Sequence, residues 1–315
     1  MDLTNKSVIK NLLEKYNAKP EKYLGQHFIS SKKALKNMID AAEIKKTDTI
    51  IEIGPGLGTL TGMLAETDAN VIAVEKDPLM VEILKETTAD YKNTKIIQAD
   101  ARQIWRSSPK ATRQLSIPRI NSFVDNVGIS GGKNEYKIVA NLPYNIATFL
   151  IRSWLELKNP PELMVLMIQK EVARRIVAKP PRSNLLGVSV QFYAEARIID
   201  YVEKESFWPK PKVDAAIIKI TPKISKRNGH IKPIDLKQSF AFFRVVKAGF
   251  SQPRKQLIGN LSKKLNIPKE KLILIFRNLD IPERARAENL SLISWQNLVF
   301  RLIPALQLKG GVIHN

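Results

Sequence analysis

The 315-residue sequence contains no cysteine and only three histidines. The first absence excludes disulfides, cysteine-ligated zinc and thiol nucleophiles. The second leaves little from which a histidine metal centre could be built, so no metal is expected. Hydrophobic residues make up 44% of the chain, yet no apolar run approaches the roughly 20 residues of a membrane span. The first twenty residues, "MDLTNKSVIKNLLEKYNAKP", are polar and dotted with lysine. Without an apolar h-region there, no secretory signal is expected, and a reducing cytoplasmic home fits. Acidic charge is also scarce, with 30 Asp and Glu against 51 Lys and Arg, a net +21. The imbalance is uneven: from Lys223 onward there are 18 basic and 5 acidic residues, an excess of 13. A cationic region of that kind suits a polyanion, because each neutralised phosphate releases condensed counterions.

What is present is a regular alternation. Residues 33–45 carry Leu35, Met38, Ile39 and Ala42 at helical spacing. "TIIEIGPGLGTLTGMLAE" reads as a short apolar strand, a glycine turn and a helix, and "NVIAVEKDP" with "LMVEILKETTA" repeats the unit. "TKIIQADAR" and "YKIVANLPY" supply a third and a fourth strand, and "ELMVLMIQKEVARRIVA" a fifth that runs into a helix. "VSVQFYAEARIIDYV" and "AAIIKITPK" read as two more strands. Near-continuous apolar strands alternating with helices predict a doubly wound α/β domain, a parallel sheet covered on both faces, over residues 1–222. Residues 223–315 read as helices only, for instance "DLKQSFAFFRVVKAGF" and "EKLILIFRNL", and form a small basic C-terminal domain. Residues 107–136 break the rhythm. They are rich in Ser, Pro, Gly and Asn without periodicity, a long irregular insertion for a compact domain.

Polar or glycine features stand at four successive strand ends. "EIGPGLG" places Gly54, Gly56 and Gly58 between a strand and a helix, where backbone approaches a ligand closely and helix amides are free. The third glycine follows the second by two residues, which departs from the dinucleotide G-x-G-x-x-G spacing. Glu75 ends the next strand, about twenty residues on, where an acid can accept both hydroxyls of a ribose, whether of NAD or of S-adenosylmethionine. Asp100 ends the third strand; it can accept from an adenine amine or cap the helix that follows. The fourth end is "VANLPYN", residues 139–145. A turn with a capping amide and a packed ring would explain it. So would a platform for a flat, amine-bearing base: Asn141 and the Leu142 carbonyl accept two hydrogens, Pro143 fixes the backbone and Tyr144 stacks.

The ordered set "YLGQHFI" (23–29), "IEIGPGLGTLT" (51–61), "VEKD" (74–77), "QADA" (98–101), "VANLPYNIAT" (139–148), "MIQKEVARRI" (167–176), "SFWPKPKVDAAII" (206–218) and "FRVVKAGFSQPRKQL" (243–257) resembles the small-subunit ribosomal RNA adenine N6,N6-dimethyltransferases. The stretches run in family order over almost the whole chain. The resemblance implies a Rossmann-like methyltransferase sheet with a small C-terminal all-helical domain. It implies S-adenosylmethionine as methyl donor, and dimethylation of two adjacent adenines near the 3′ end of small-subunit rRNA during ribosome biogenesis. The partner would be that rRNA or the pre-assembled small ribosomal subunit, met by a monomer. Position by position, His27 and Ile29 would lie at the methionine part of the cofactor, Gly54 beneath it, Glu75 at its ribose and Asp100 at its adenine. Asn141 would be both cofactor-adjacent and catalytic, with Leu142 and Tyr144 beside it and Phe207 as a second aromatic wall for the base. Arg254, Lys255, Lys223, Lys226, Arg227 and Lys232 would track phosphates. The chain departs from the family pattern at His27, where most relatives carry Asn, and in the length of segment 107–136.

Overall fold

The computed structural model describes residues 1–21, 25–105, 136–157, 159–223, 225–227, 230–232 and 236–307. The insertion at 107–136, except Tyr136, therefore lies outside the described residues, as do the side chains of Lys226, Arg227 and Lys232. Two compact units divide the chain: Met1–Arg174 with Ala194–Pro222, and Arg175–Tyr193 with Lys223–Asn315.

The first unit opens with α1 (Lys6–Lys15), which the sequence reading passed over; Ile9, Leu12 and Leu13 bury one face of it. The short strand β1 (Phe28–Ile29) leads into α2 (Lys32–Ala42), which ends earlier than residue 45 because Glu43 adopts the left-handed conformation. There follow β2 (Thr49–Ile53), α3 (Thr59–Ala65), β3 (Asn70–Glu75), α4 (Pro78–Thr87), β4 (Thr94–Gln98) and α5 (Ala101–Ile104). Asp77 caps α4 by accepting from Leu79 N at 3.0 Å, with Pro78 at the first helical position, where its missing N–H leaves no bond unmade. Then come β5 (Tyr136–Asn141), α6 (Ala147–Leu155), β6 (Leu163–Gln169) and α7 (Lys170–Val177), the last crossing into the second unit. Helix α8 (Leu185–Tyr193) belongs to the second unit, and β7 (Ala194–Val202), β8 (Phe207–Trp208) and β9 (Ala215–Pro222) complete the first.

Seven strands form one sheet in the order β4-β3-β2-β5-β6-β9-β7. Strands β2 to β6 are parallel, and winding reverses between β2 and β5, the point where such sheets open a crevice at their carboxyl edge. The sheet is not parallel throughout. Strand β9 runs antiparallel to both β6 and β7, because it returns from the β7–β8 connection without a crossover helix. The central strands are apolar on both faces and helices cover them: Leu35, Met38, Leu60 and Leu64 pack with Val139, Val165 and Met167 in one cluster.

The segment "VSVQFY" is helical, in α8, rather than the start of a strand. Asn184 caps it by accepting from Gly187 N at 3.0 Å, and Val188 and Phe192 enter the core of the second unit. Ser183 N also donates to Glu288 O at 3.2 Å. These contacts explain why residues 175–193 group with the C-terminal helices instead of with residues 1–222. That unit contains α9 (Leu236–Gly249), α10 (Leu257–Leu265), α11 (Lys269–Asn278) and α12 (Leu292–Gln307), around Phe242, Leu261, Phe276 and Trp295. It is not purely helical: β10 (Ser225–Arg227) and β11 (His230–Lys232) pair antiparallel. The Asn228-Gly229 pair between them in sequence is a strong short-range hairpin signal. Buried Asn260 donates to the carbonyls of Gly249 at 2.7 Å and Gln252 at 3.0 Å, holding the turn that exposes Arg254 and Lys255.

Candidate functional site

The carboxyl ends of β2, β3 and β5, with the residues just past β4, surround a cavity of about 210 Å³. All nine residues expected at a site line it: His27, Ile29, Gly54, Glu75, Asp100, Asn141, Leu142, Tyr144 and Phe207.

The floor is the glycine turn. Gly54 N donates to Val74 O at 3.0 Å, tying the end of β2 to β3. Gly56 has φ +56°, and a Cβ there would stand 3.1 Å from the Phe28 ring, so both conformation and space call for glycine. Glu75 is 7% exposed. Its Oε2 accepts from Gly56 N at 3.1 Å, and its Oε1 from Lys76 N at 2.7 Å and Asp77 N at 2.9 Å. Burial pushes its carboxyl pKa up, and the three amides pull against that shift. A carboxylate offers about four acceptor sites. Three are taken by backbone, so the group is fixed in direction and keeps acceptor capacity for a ligand hydroxyl.

Asp100 both caps α5, accepting from Arg102 N at 2.9 Å, and pairs with Arg102 Nη2 at 2.8 Å and Lys76 Nζ at 3.1 Å. Burial opposes its charge, but Arg102 and Lys76 together hold its pKa at about 2. With Arg102 Nε also 3.2 Å from Oδ1, the carboxylate is held as a helix cap at the cavity wall, and a ligand amine would have to displace one of these partners.

Asn141 ends β5 opposite Met167, and its Nδ2 donates to His27 O at 3.2 Å. With the nitrogen so committed, Oδ1 is the acceptor end of the amide. Leu142 N donates to Met167 O at 3.1 Å, and Ile146 N to Pro143 O at 3.2 Å, closing the turn in front of α6. The Tyr144 hydroxyl is buried without a partner among the described residues, and burial, aided by the charge of Asp214, pushes its pKa up to about 12. Tyr144 is thus a neutral ring at physiological pH. His27 lies 5.8 Å from it, ring to ring, and its Nδ1 is 2.7 Å from Pro209 O. Its imidazole is engaged by the protein, whereas its neighbour Ile29 pairs with Phe207 across β1 and β8. Phe207 is 2% exposed, so it belongs to the core as well as to the cavity wall.

The arrangement fits an S-adenosyl group. It offers a glycine floor that a side chain would fill, an oriented acid where a ribose diol would lie, and a second acid at the next strand end. Comparison with known proteins gives the family. Residues 17–303 match the family profile described as ribosomal RNA adenine dimethylase. The chain is 38% identical over 290 residues to the ribosomal RNA small subunit methyltransferase A of Dehalococcoides mccartyi, covering 92% of this chain and 90% of that one. It is 38% identical over 285 residues to the protein of the same description from Clostridium botulinum, covering 90% and 94%.

The chain belongs to the ribosomal RNA adenine dimethylase family.

As a member of that family it is an rRNA adenine dimethyltransferase, and enzymes of this type take their methyl groups from S-adenosylmethionine. Two solved structures share the fold: the 23S rRNA methyltransferase ErmE, at TM-score 0.65 and 20% identity over 87% of this chain and 99% of that one, and a dimethyladenosine transferase from Plasmodium falciparum, at TM-score 0.65 and 24% identity over 88% and 97%. Among the described residues no helix is long and apolar enough to cross a membrane.

One conspicuous member of the candidate site does not figure among the residues singled out from the sequence. Glu52 lines the cavity at 2% exposure and accepts from Thr61 Oγ1 at 2.7 Å. Burial pushes its pKa up to about 8 against the Thr61 bond, with the Glu75 charge adding to the rise. Its signal was present: a lone acid inside the otherwise apolar strand "TIIEI".

Proposed function

We propose that this dimethylase methylates the N6 amines of two adjacent adenines near the 3′ end of small-subunit rRNA, each twice, during ribosome biogenesis. The observation that carries this reading is the Asn141 amide, oriented by His27 O at a cavity whose other strand ends suit S-adenosylmethionine. The names of the curated relatives, small-subunit methyltransferases, support the choice of subunit.

Bound S-adenosylmethionine supplies an electrophilic methyl group. Glu75 would accept from its ribose hydroxyls, Gly54 would let it lie close against the backbone, Asp100 would face its adenine, and Ile29 with His27 would lie at its methionine end. Asn141 Oδ1 and the Leu142 carbonyl accept the two hydrogens of the target N6, turning its lone pair out of conjugation and dispersing the positive charge that develops. Tyr144 and Phe207 hold the base between them. The methylated amine sheds one proton per transfer to solvent, so no strong base is required. The target adenines must leave their stack to reach the crevice, which favours a single-stranded loop of a small-subunit particle over a duplex. The basic C-terminal residues, Arg254 and Lys255 above all, contribute affinity for phosphate with little base choice. The protein acts as a monomer in the cytoplasm.

The test is incubation with labelled S-adenosylmethionine and undermethylated small ribosomal subunits, followed by mapping of the modified bases. Label in two neighbouring adenines near the 3′ end is the expected outcome. No label in the small-subunit RNA, label elsewhere in it, or a single methyl per adenine overturns the assignment.

A further inference from the structure

An aromatic ring stands exposed at the same sheet edge as the crevice, outside its lining. Tyr201, on β7, is 46% exposed. Lys170 Nζ lies 5.3 Å from its ring centroid and Arg174 Cζ lies 5.4 Å away, both carried one turn apart on α7. The Lys170 ammonium is neutralised by Asp214 at 2.9 Å, whereas Arg174 makes no ion pair among the described residues. A register shift between Ile198 and Asp200 precedes the tyrosine, and Tyr201 N donates to Asp200 Oδ1 at 2.8 Å, so the strand is re-aimed where the ring departs.

Position gives this ring a meaning. Asn141 is opposite Met167, Ile168 is opposite Ala216, and Ala216 is opposite Tyr201. Tyr201 is therefore three strands away from Asn141 along one edge, about 14 Å at the usual strand spacing. That is about four nucleotides of a stacked strand at ~3.4 Å each, and fewer of a splayed one. Asp214, paired with Lys170 beside the ring, lies near enough for its charge to act on the Tyr144 hydroxyl of the crevice.

We propose that Tyr201, flanked by Lys170 and Arg174, is a stacking subsite for an unpaired base of the RNA strand a few nucleotides from the target adenine. The proposal rests on the reading of the protein as an rRNA methyltransferase and adds a second, sequence-tolerant grip to it. Any base presents a π-face to the ring, and the guanidinium of Arg174 is placed for the adjoining phosphate. An exposed ring with two cations beside it suits a polyanion with flat groups better than it suits an apolar partner surface.

The experiment uses the full-length protein with two substrates, undermethylated small ribosomal subunits and a short fluorescein-labelled single-stranded RNA. Tyr201→Leu keeps apolar bulk and removes the π-face; Tyr201→Trp keeps the face. The expected result for Tyr201→Leu is about a tenfold rise in KM for subunits and in Kd for the oligonucleotide. The loss should fall on KM rather than kcat, the salt slope should stay at the wild-type value, and Tyr201→Trp should restore affinity. Wild-type affinity in Tyr201→Leu overturns the subsite, as does equal rescue by leucine and tryptophan. Failure of the wild-type enzyme to methylate small subunits would instead strike the functional reading, and the oligonucleotide arm would still report on Tyr201.

Discussion

Two asparagines of this protein perform opposite tasks with the same amide. Asn260, buried in the helical unit, spends its nitrogen on two backbone carbonyls and fixes the turn before α10. Asn141, at the end of β5, gives its nitrogen to one carbonyl on the N-terminal segment and lines the crevice. The first is consumed by structure and the second is oriented by structure for use on something else. The general lesson is that a polar group at a strand end becomes chemical when the fold satisfies half of it. The two units divide labour along the same line: in one, buried and over-determined groups line a cavity, and in the other a buried group presents exposed cations.

Substituting each asparagine by alanine should separate these tasks. Asn141→Ala should lower kcat by about 10³-fold, the magnitude of losing an oriented donor or acceptor at a reacting centre. RNA affinity should stay within a few-fold of wild type, and single-turnover methylation against filter binding checks both. Near-normal turnover would mean that the amide is only a strand cap. Asn260→Ala should cost about 2 kcal/mol of stability, because two interior carbonyls lose their donor. Urea unfolding measures that loss, and turnover per folded molecule at low temperature should be retained.

Smaller effects sharpen the contrast between the two units. Replacing Arg254 and Lys255 together by glutamine should reduce the slope of log Kd against log salt by about 1.4, at roughly 0.7 per single-strand phosphate contact. An unchanged slope would remove both residues from the RNA footprint. Glu52 allows a pH test inside the catalytic unit. Burial chiefly raises its pKa from the ordinary 4.5 to about 8. Native stability is therefore highest where the unfolded carboxyl is also protonated, and falls as pH rises from about 4.5 through about 8. Glu52→Gln should flatten that fall, its thermal midpoint gaining on wild type across the window; parallel curves would show that the acid is compensated in another way.

Much of this was legible in the sequence, and the exceptions have physical causes. The parallel strands showed through because strands buried on both faces must be apolar, so Gly54, Glu75, Asp100 and Asn141 stood out at their ends. Strand direction leaves no such mark, and the antiparallel return of β9 could not be read from "AAIIKITP". Helix α8 was mistaken because "VSVQFY" is rich in β-branched and aromatic residues; tertiary packing of Val188 and Phe192 overrode that propensity. At the site, Phe207 and Glu52 are instructive opposites. Pairing of β1 with β8 draws Phe207 into both core and cavity, a long-range fact that no local pattern carries. Glu52 was visible as a charge in an apolar strand and needed only to be asked what it accepts from.

The bond from Asn141 to the His27 carbonyl spans 114 positions of sequence. It ties the amide proposed to act on the target base directly to the N-terminal segment. On the proposed roles, enclosure of the cofactor and orientation of the amide toward the target base depend on this one contact, so a substitution that loosens the N-terminal segment should reach both.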